Sequence, residues 1–290
     1  MGRLLTVLLS CLSVMFALTA PSASADVAIP AGAVPAPEGP AEAWVVADID
    51  SGEVLAARNE YGRYAPASTI KVLLALTVLD ELPLDATVVA NVPDTVVECN
   101  CAGVAPGQTY TTRQLLEGLL LVSGNDAANT LATMLGGRDT AIAKMTAKAA
   151  SVGATATTAG SPSGLDGPGI DVWTTPHDLA VIFRAALAHP VFAEITAQPT
   201  ALFPSKTGER VLVNQDEMLA RYPGMLGGKT GFTDLARKTF VGAAQRDGRR
   251  LVVVLMHGLI KEGGPTYWDQ VSALLDWGFA QGRGASVGAL

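Results

Sequence analysis

The 290-residue chain has few of the residues that metal sites and nucleic-acid surfaces require. It contains three cysteines and three histidines, and no second cysteine or histidine cluster accompanies Cys99 and Cys101. A zinc site is therefore not expected, and we predict neither a metal nor a cofactor. Charged residues make up 16% of the chain, and the 27 acidic residues outnumber the 20 basic ones. This acidic balance, without a basic run, argues against nucleic acid as a partner.

Long apolar runs are also missing after the first two dozen residues. The hydrophobic fraction is 49%, but no later run approaches the ~20 apolar residues that span a bilayer. At the N-terminus, Arg3 precedes the apolar stretch 4–20 and the small residues Ala23-Ser24-Ala25. This pattern predicts a signal peptide over residues 1–25 and export to the periplasm, the cell wall or the medium. An uncleaved segment would instead leave the protein membrane-associated.

Two cysteines, Cys99 and Cys101, follow the predicted signal peptide. Export brings them into an oxidising compartment, where disulfides persist. A disulfide between residues two apart nevertheless requires a tight bend. The sequence leaves a local disulfide and two free thiols as equal alternatives.

The order of the elements predicts an α/β fold resembling an α+β sandwich. We expect an antiparallel sheet built from both chain ends with flanking helices, and an inserted all-helical subdomain. Residues 26–42 are rich in Ala, Pro and Gly and predict a flexible lead-in. The catalytic domain then covers 43–290, with its α/β part at about 43–66 and 222–290 and its helical part at about 67–221.

Two pairs of short apolar runs predict the sheet. Trp44–Asp48 and Val54–Arg58 form one hairpin, and Thr239–Ala244 and Leu251–Met256 form the other. Helical spacing and capping residues predict the helices between and after them. These helices cover Thr69–Leu79, Thr112–Leu121, Asp126–Leu135, Asp139–Ser151, a segment opening at Thr175, and Trp268–Phe279.

The first chemical motif is Ser68-Thr69-Ile70-Lys71. On a helix, Ser68 and Lys71 share a face, so an amine lies within reach of a hydroxyl. A serine hydroxyl is a weak nucleophile that needs a base, and a lysine of lowered pKa supplies one. Alone, the pattern would be interpreted as a helix cap followed by a solvated lysine.

Two further motifs follow in the chain. Ser123-Gly124-Asn125 lies between two predicted helices, where Ser123 can relay a proton and Asn125 can donate and accept hydrogen bonds. Lys229-Thr230-Gly231 enters the predicted strands, where Lys229 and Thr230 can bind a carboxylate and Gly231 leaves room along the strand edge. Lys206-Thr207-Gly208 spells the same motif in a polar stretch. We choose the second copy for its context.

These three motifs in this order are typical of penicillin-binding proteins and β-lactamases. From about Trp44 to Phe279, the sequence resembles the low-molecular-weight penicillin-binding proteins of the serine D-Ala-D-Ala carboxypeptidase family. The similar stretches are Asp50–Leu55, Pro66–Ser68, Ser123–Ala127, Gly164–Asp166 and Gly228–Thr233.

The resemblance implies a mechanism and partners. Ser68 would attack the carbonyl between the last two D-alanines of a peptidoglycan stem peptide, while Lys71 takes its proton and Ser123 passes it to the leaving D-alanine. The backbone N–H groups of Ser68 and Phe232 would form the oxyanion hole, and Lys229 and Thr230 would bind the terminal carboxylate. β-Lactams would acylate Ser68, and the enzyme is expected to be a monomer.

Departures from the family leave alternatives open. Many relatives carry an Arg after the last core strand to assist the substrate carboxylate; here only Lys261 or Arg237 lies near that region. A class A β-lactamase shares the fold, but this chain lacks that family's Glu-x-x-Leu-Asn loop. Transpeptidase or endopeptidase activity would use the same residues, and the sequence does not decide between water and an amine as the acceptor.

Overall fold

The computed structural model describes residues 26–259 and 262–290, so the predicted signal peptide lies outside the described residues. The strands are β1 (Val27–Ala28), β2 (Ala41–Asp48), β3 (Glu53–Arg58), β4 (Thr87–Val89), β5 (Thr109–Thr111), β6 (Thr200–Ser205), β7 (Gly208–Val213), β8 (Met225–Thr233), β9 (Arg237–Arg246), β10 (Arg249–Gly258) and β11 (Gly288–Ala289). The helices are α1 (Lys71–Glu81), α2 (Val92–Thr95), α3 (Thr112–Leu121), α4 (Asn125–Met134), α5 (Arg138–Ser151), α6 (Pro176–Leu187), α7 (Pro190–Ala197), α8 (Met218–Arg221) and α9 (Tyr267–Ala280), and a 3-10 helix (Ala67–Ile70) leads into α1.

The main sheet joins strands from both ends of the chain. Its order is β1-β3-β2-β10-β9-β8, and β11 pairs with β3. All of its neighbours are antiparallel. The predicted fold class, an antiparallel sheet built from both ends with flanking helices, is confirmed.

The apolar run on β10 is continuous because both faces of the sheet are covered. Val252, Val254 and Met256 belong to the core cluster that includes α1 and α6. Leu251, Val253 and Leu255 alternate with them and pack in the cluster that includes α9. Each face therefore has its own core, and successive side chains enter opposite cores.

The inserted part is mostly helical, but the prediction that it is all-helical is wrong. It also contains two hairpins, β4–β5 and β6–β7. In the second hairpin Phe203 and Leu212 are buried, whereas Leu202 and Val211 on the other face are exposed. Apolar residues on both faces hide the alternation by which a half-buried strand is recognised in a sequence.

The segment predicted to be a flexible lead-in, 26–42, lies against the domain, which corrects that prediction. Its strand β1 pairs with β3, and Ile29 packs beside the core under α9. Trp277 Nε1 donates a hydrogen bond to the carbonyl of Val34 at 3.0 Å. The apolar residues scattered among the prolines supply this contact, and composition alone does not reveal it.

Within the part of the chain that the structure describes, no single helix is long and apolar enough to cross a membrane. The pair α6 and α7 meets the length and hydropathy requirement only when taken together, and it is bent by 102° at its break.

Candidate active site

Ser68 lies in the 3-10 helix that leads into α1. The backbones of two glycines, Gly231 and Gly164, lie close to the backbone of this helix. A Cβ on Gly231 would lie 2.9 Å from the Ser68 nitrogen, and a Cβ on Gly164 would lie 1.9 Å from the Ala67 carbonyl oxygen. Only glycine fits at these two positions. Ala67 itself has a φ of 48°, a strained value for a residue with a side chain. The structure therefore packs β8 and the 161–169 loop tightly around the serine.

Lys71 is the first residue of α1 and is fully buried. Its Nζ lies 2.7 Å from Ser68 Oγ, 2.7 Å from Asn125 Oδ1 and 3.4 Å from Ser123 Oγ. Burial, followed by the charge of Lys229, lowers the pKa of Lys71 well below its usual value, although Asp126 acts in the opposite direction. A neutral amine at hydrogen-bond distance from a hydroxyl can accept its proton.

Ser123 and Asn125 lie at the junction of α3 and α4, where the chain reverses. Ser123 has a φ of 58°, which turns the backbone so that its side chain meets Lys71. Asn125 opens α4, and its Nδ2 donates to the carbonyl of Glu98 at 2.6 Å. The two ends of the Asn125 amide are thus engaged in different directions, the oxygen toward Lys71 and the nitrogen toward the chain at Glu98.

Lys229, Thr230 and Gly231 lie on β8, the edge strand of the main sheet. Lys229 is buried, and its Nζ donates to the carbonyl of Thr230 at 2.8 Å. Burial lowers the pKa of Lys229 to about 7, against the opposing effect of Asp216. The strand therefore holds a second amine whose charge depends on pH near neutrality.

A cleft of about 360 Å³ brings six of the eight predicted site residues to one surface. These are Ser68, Ser123, Asn125, Thr230, Gly231 and Phe232. Lys71 and Lys229 lie buried behind that surface. Among the described residues, no group of three His, Cys, Asp or Glu side chains is placed to hold a metal.

The second Lys-Thr-Gly copy is in the cleft, and the first is not. Lys206 and Thr207 form the turn between β6 and β7, and both are exposed. Lys229-Thr230-Gly231 instead pairs with β9 beside Ser68. The copy chosen for its sequence context is therefore the one that lies beside Ser68.

Further side chains line the cleft that sequence reasoning missed. They are Glu98, Asn100, Gln215, Glu217, Lys238, Tyr267 and Trp268. None belongs to a short motif, and they come from segments far apart in the chain, so only the fold brings them together.

Lys238 brings a cation to the cleft. It lines the cleft, and its Nζ lies 4.8 Å from the centre of the Phe232 ring. Arg237 points elsewhere: its guanidinium lies 4.0 Å from Asp234, and it is not among the described lining residues. Lys261 lies outside the described residues.

Two local contacts fix segments beside the cleft, and the first answers the question that the sequence left open for the two cysteines. Cys99 and Cys101 form a disulfide, with their Cα atoms 4.9 Å apart. Asp166 accepts a hydrogen bond from Thr233 Oγ1 at 2.5 Å. This bond ties the 161–169 loop to the end of β8.

Comparison with known proteins shows the family to which the chain is similar. The Peptidase_S11 model, described as D-alanyl-D-alanine carboxypeptidase, matches residues 31–259. The D-alanyl-D-alanine carboxypeptidase DacB2 of Mycobacterium tuberculosis is 68% identical over 268 residues, which cover 92% of each chain. The D-alanyl-D-alanine carboxypeptidase of Streptomyces sp. strain K15 is 30% identical over 87% of this chain and 92% of its own.

Solved structures agree with these matches. A D-alanyl-D-alanine carboxypeptidase from M. tuberculosis H37Rv superposes with a TM-score of 0.89 at 67% identity, covering 91% of this chain and all of its own. The Streptomyces K15 DD-transpeptidase superposes with a TM-score of 0.78 at 27% identity, covering 86% of this chain and all of its own.

Proposed function

The chain belongs to the serine D-alanyl-D-alanine carboxypeptidase family of hydrolases, and on this basis we propose that it removes the terminal D-alanine from peptidoglycan stem peptides through an acyl-enzyme on Ser68. The predicted family and enzyme class are thereby confirmed. The observation that best supports Ser68 as the nucleophile is its 2.7 Å contact with the buried Lys71 amine. Burial lowers the pKa of that amine, which favours the neutral form that can act as a base.

In acylation, Ser68 Oγ attacks the carbonyl carbon of the penultimate D-alanine while Lys71 accepts the hydroxyl proton. The carbonyl oxygen becomes an oxyanion, which the N–H groups of Ser68 and Phe232 stabilise. Each donor in such a hole contributes about 3–4 kcal/mol in comparable sites. The tight approach of Gly231 to the Ser68 amide supports this pairing, because Phe232 is the next residue on β8.

The leaving group needs a proton, and in this proposal Ser123 delivers it. Its Oγ lies 3.4 Å from Lys71 Nζ, on the path from the base to the cleft. The proton taken from Ser68 passes through Ser123 to the nitrogen of the departing D-alanine, and the C–N bond breaks. Lys229 and Thr230 hold the terminal carboxylate meanwhile, and water then hydrolyses the ester on Ser68.

The direct test is the release of free D-alanine from a peptide ending in D-Ala-D-Ala. We expect Ser68→Ala to lose at least about 10³-fold in kcat/KM. Ser151→Ala, an exposed serine in the last turn of α5, is the matched control and should release D-alanine at the unmodified rate. Unchanged release by Ser68→Ala would reject the proposed nucleophile.

Penicillin should acylate the same serine and leave slowly, because it imitates the peptide end and the chain lacks the Glu-x-x-Leu-Asn loop of class A β-lactamases. Intact-mass spectrometry after mixing with benzylpenicillin should show a persistent adduct on Ser68. Rapid multiple-turnover hydrolysis would favour a β-lactamase instead.

A second activity, transpeptidation, is favoured by one finding. The K15 protein is named a carboxypeptidase in one comparison and a DD-transpeptidase in the other. An amine acceptor would attack the same Ser68 ester in place of water. Mass spectrometry of muropeptides incubated with the enzyme distinguishes shortened stems from new cross-links.

We also propose that the protein is exported as a monomer with residues 1–25 removed. The N-terminal pattern supports export, as does the Cys99–Cys101 disulfide, a bond that persists in oxidising compartments. All eight proposed site residues come from one chain. N-terminal sequencing of the exported protein should begin at Asp26, and sedimentation should give about one chain mass; an intact leader or a stable dimer would contradict the proposal.

A further inference from the structure

We propose that the Cys99–Cys101 disulfide is a positioning element of the active site, which holds the loop of residues 98–104 so that Asn125 is oriented toward Lys71. We call these seven residues the cystine loop. The inference rests on the proposed roles of Asn125 and Lys71 and adds a structural cause for their geometry.

The first part of the cystine loop fixes Asn125 directly. The carbonyl of Glu98 accepts from Asn125 Nδ2 at 2.6 Å, and the carbonyl of Asn100 accepts from the Asn125 backbone N–H at 2.7 Å. An amide has one donor end and one acceptor end. Because its nitrogen is held at Glu98, its oxygen must face Lys71 Nζ, at 2.7 Å.

The second part of the cystine loop is fixed to the next residue of α4. The buried Asp126 carboxylate accepts N–H bonds from Ala102, Gly103 and Val104, each at 2.8 Å. A Cβ on Gly124 would lie only 3.0 Å from the Ala102 nitrogen. This half of the loop is therefore packed against the Ser-Gly-Asn turn independently of the disulfide.

The disulfide joins these two parts. Cys99 lies between the carbonyls of Glu98 and Asn100, and Cys101 directly precedes the segment anchored on Asp126. Residues 98–100 are exposed and belong to no helix or strand. The cross-link thus connects the exposed segment 98–100, which orients Asn125, to the segment that Asp126 holds in place. It thereby restricts the conformations that the exposed segment can adopt.

The bond is also accessible to reagents from the cleft. Cys99 is exposed and lines the cleft beside Asn125. A dithiol such as dithiothreitol would reduce it with two electrons and two protons, giving two cysteine thiols and the oxidised cyclic dithiol. The chain can therefore be compared with and without the cross-link under native conditions.

The test measures acylation by a fluorescent penicillin, separated into the binding constant K′ and the acylation rate k2. We expect the double variant Cys99→Ser/Cys101→Ser to lose about tenfold or more in k2. K′ should change less than about threefold, because the proposed carboxylate anchor lies on β8, outside the cystine loop. Reduced wild-type protein should behave like the double variant, and dithiothreitol should not change the double variant itself.

A double-mutant cycle separates positioning from a general effect on stability. In an Asn125→Ala background, removing the disulfide should cost less than about twofold in k2, because the group that the loop orients is already absent. Additive losses in that background would overturn the inference. An unchanged k2 in the folded double variant, or in reduced wild type, would also overturn it. Thiol titration checks that the reduction is complete. Loss of D-alanine release in Ser68→Ala would still support the proposed function in that case.

Discussion

The cleft has two sides that each bury a lysine, in different surroundings. On the helical side, formed by the 3-10 helix, α1 and the start of α4, Lys71 lies within hydrogen-bond distance of three side-chain oxygens, including that of Ser68. On the strand side, formed by β8, Lys229 Nζ donates to the carbonyl of the adjacent Thr230. In the proposed mechanism, similar burial therefore serves two purposes: the Lys71 amine contacts the hydroxyl that reacts, and the Lys229 amine presents charge to the substrate carboxylate.

The two amines also influence one another. Burial lowers the pKa of both, and the charge of Lys229 lowers that of Lys71 further. The state that suits catalysis has a neutral Lys71 and a charged Lys229. The charge of Lys229 thus affects the proposed base, Lys71, although the contacts of Lys229 itself suit it to binding the substrate carboxylate.

The largest effect is expected from the helical side. Lys71→Met keeps an apolar chain of similar length but removes the base, so kcat/KM for D-alanine release should fall by about 10³-fold. The loss should lie in kcat, and the penicillin binding constant K′ should stay within about threefold of wild type. A variant that retains kcat but loses binding would break the distinction between the two sides.

The strand side should respond in the opposite way. Lys229→Ala removes a charged partner of the substrate carboxylate, and KM should rise by about 10–100-fold, as expected for a charge-assisted hydrogen bond. The matched control is Lys206→Ala, in the exposed Lys-Thr-Gly copy at the β6–β7 turn. Equal losses in both variants would show that the choice between the two copies was wrong.

The pH profile of kcat/KM should show both amines. Activity should rise with pH as Lys71 loses its proton, by up to about tenfold per pH unit on the acid limb. It should fall above about pH 7, where Lys229 loses its charge, since burial lowers its pKa to about 7. If kcat/KM kept rising up to pH 9, this would contradict the proposal that a charged Lys229 binds the substrate carboxylate.

The smallest effect concerns Thr230. Thr230→Val keeps the shape of the strand residue but removes its hydroxyl, and KM should rise by about 2–10-fold, as for a neutral hydrogen bond. Steady-state kinetics on the D-Ala-D-Ala peptide measures this change, with kcat unchanged within about twofold. If the loss lay mainly in kcat, Thr230 would act in the chemical step, like the residues of the helical side, and not in binding.

The sequence predicts the sheet well because the signals that define it are local. Short apolar runs on β2 and β10 and the caps of α3 and α6 are encoded within a few residues. The β6–β7 hairpin was missed because exposed Leu202 and Val211 obscure its alternation. The packing of residues 26–42 was missed because its partner, α9, lies more than 200 residues away.

The same limit applies to the site. Its motif residues were recognised because each motif is contiguous, and the fold brings them to one cleft. Three other features were not recognised in the sequence: the contacts of Asp126 with the cystine loop, the closeness of Asp216 to Lys229, and the position of Lys238 in the cleft. They depend on segments that meet only in three dimensions, and no short motif contains them.

The most direct measurement of the central claim is the acid limb of penicillin acylation in Lys229→Met. This substitution removes the charge beside Lys71 while keeping the apolar volume, and k2/K′ is followed against pH by stopped flow. Without the Lys229 charge, the pKa of Lys71 should rise, and the acid limb should move to higher pH than in wild type. An acid limb that stays in place or moves to lower pH would contradict the claim that the charge of Lys229 lowers the pKa of Lys71.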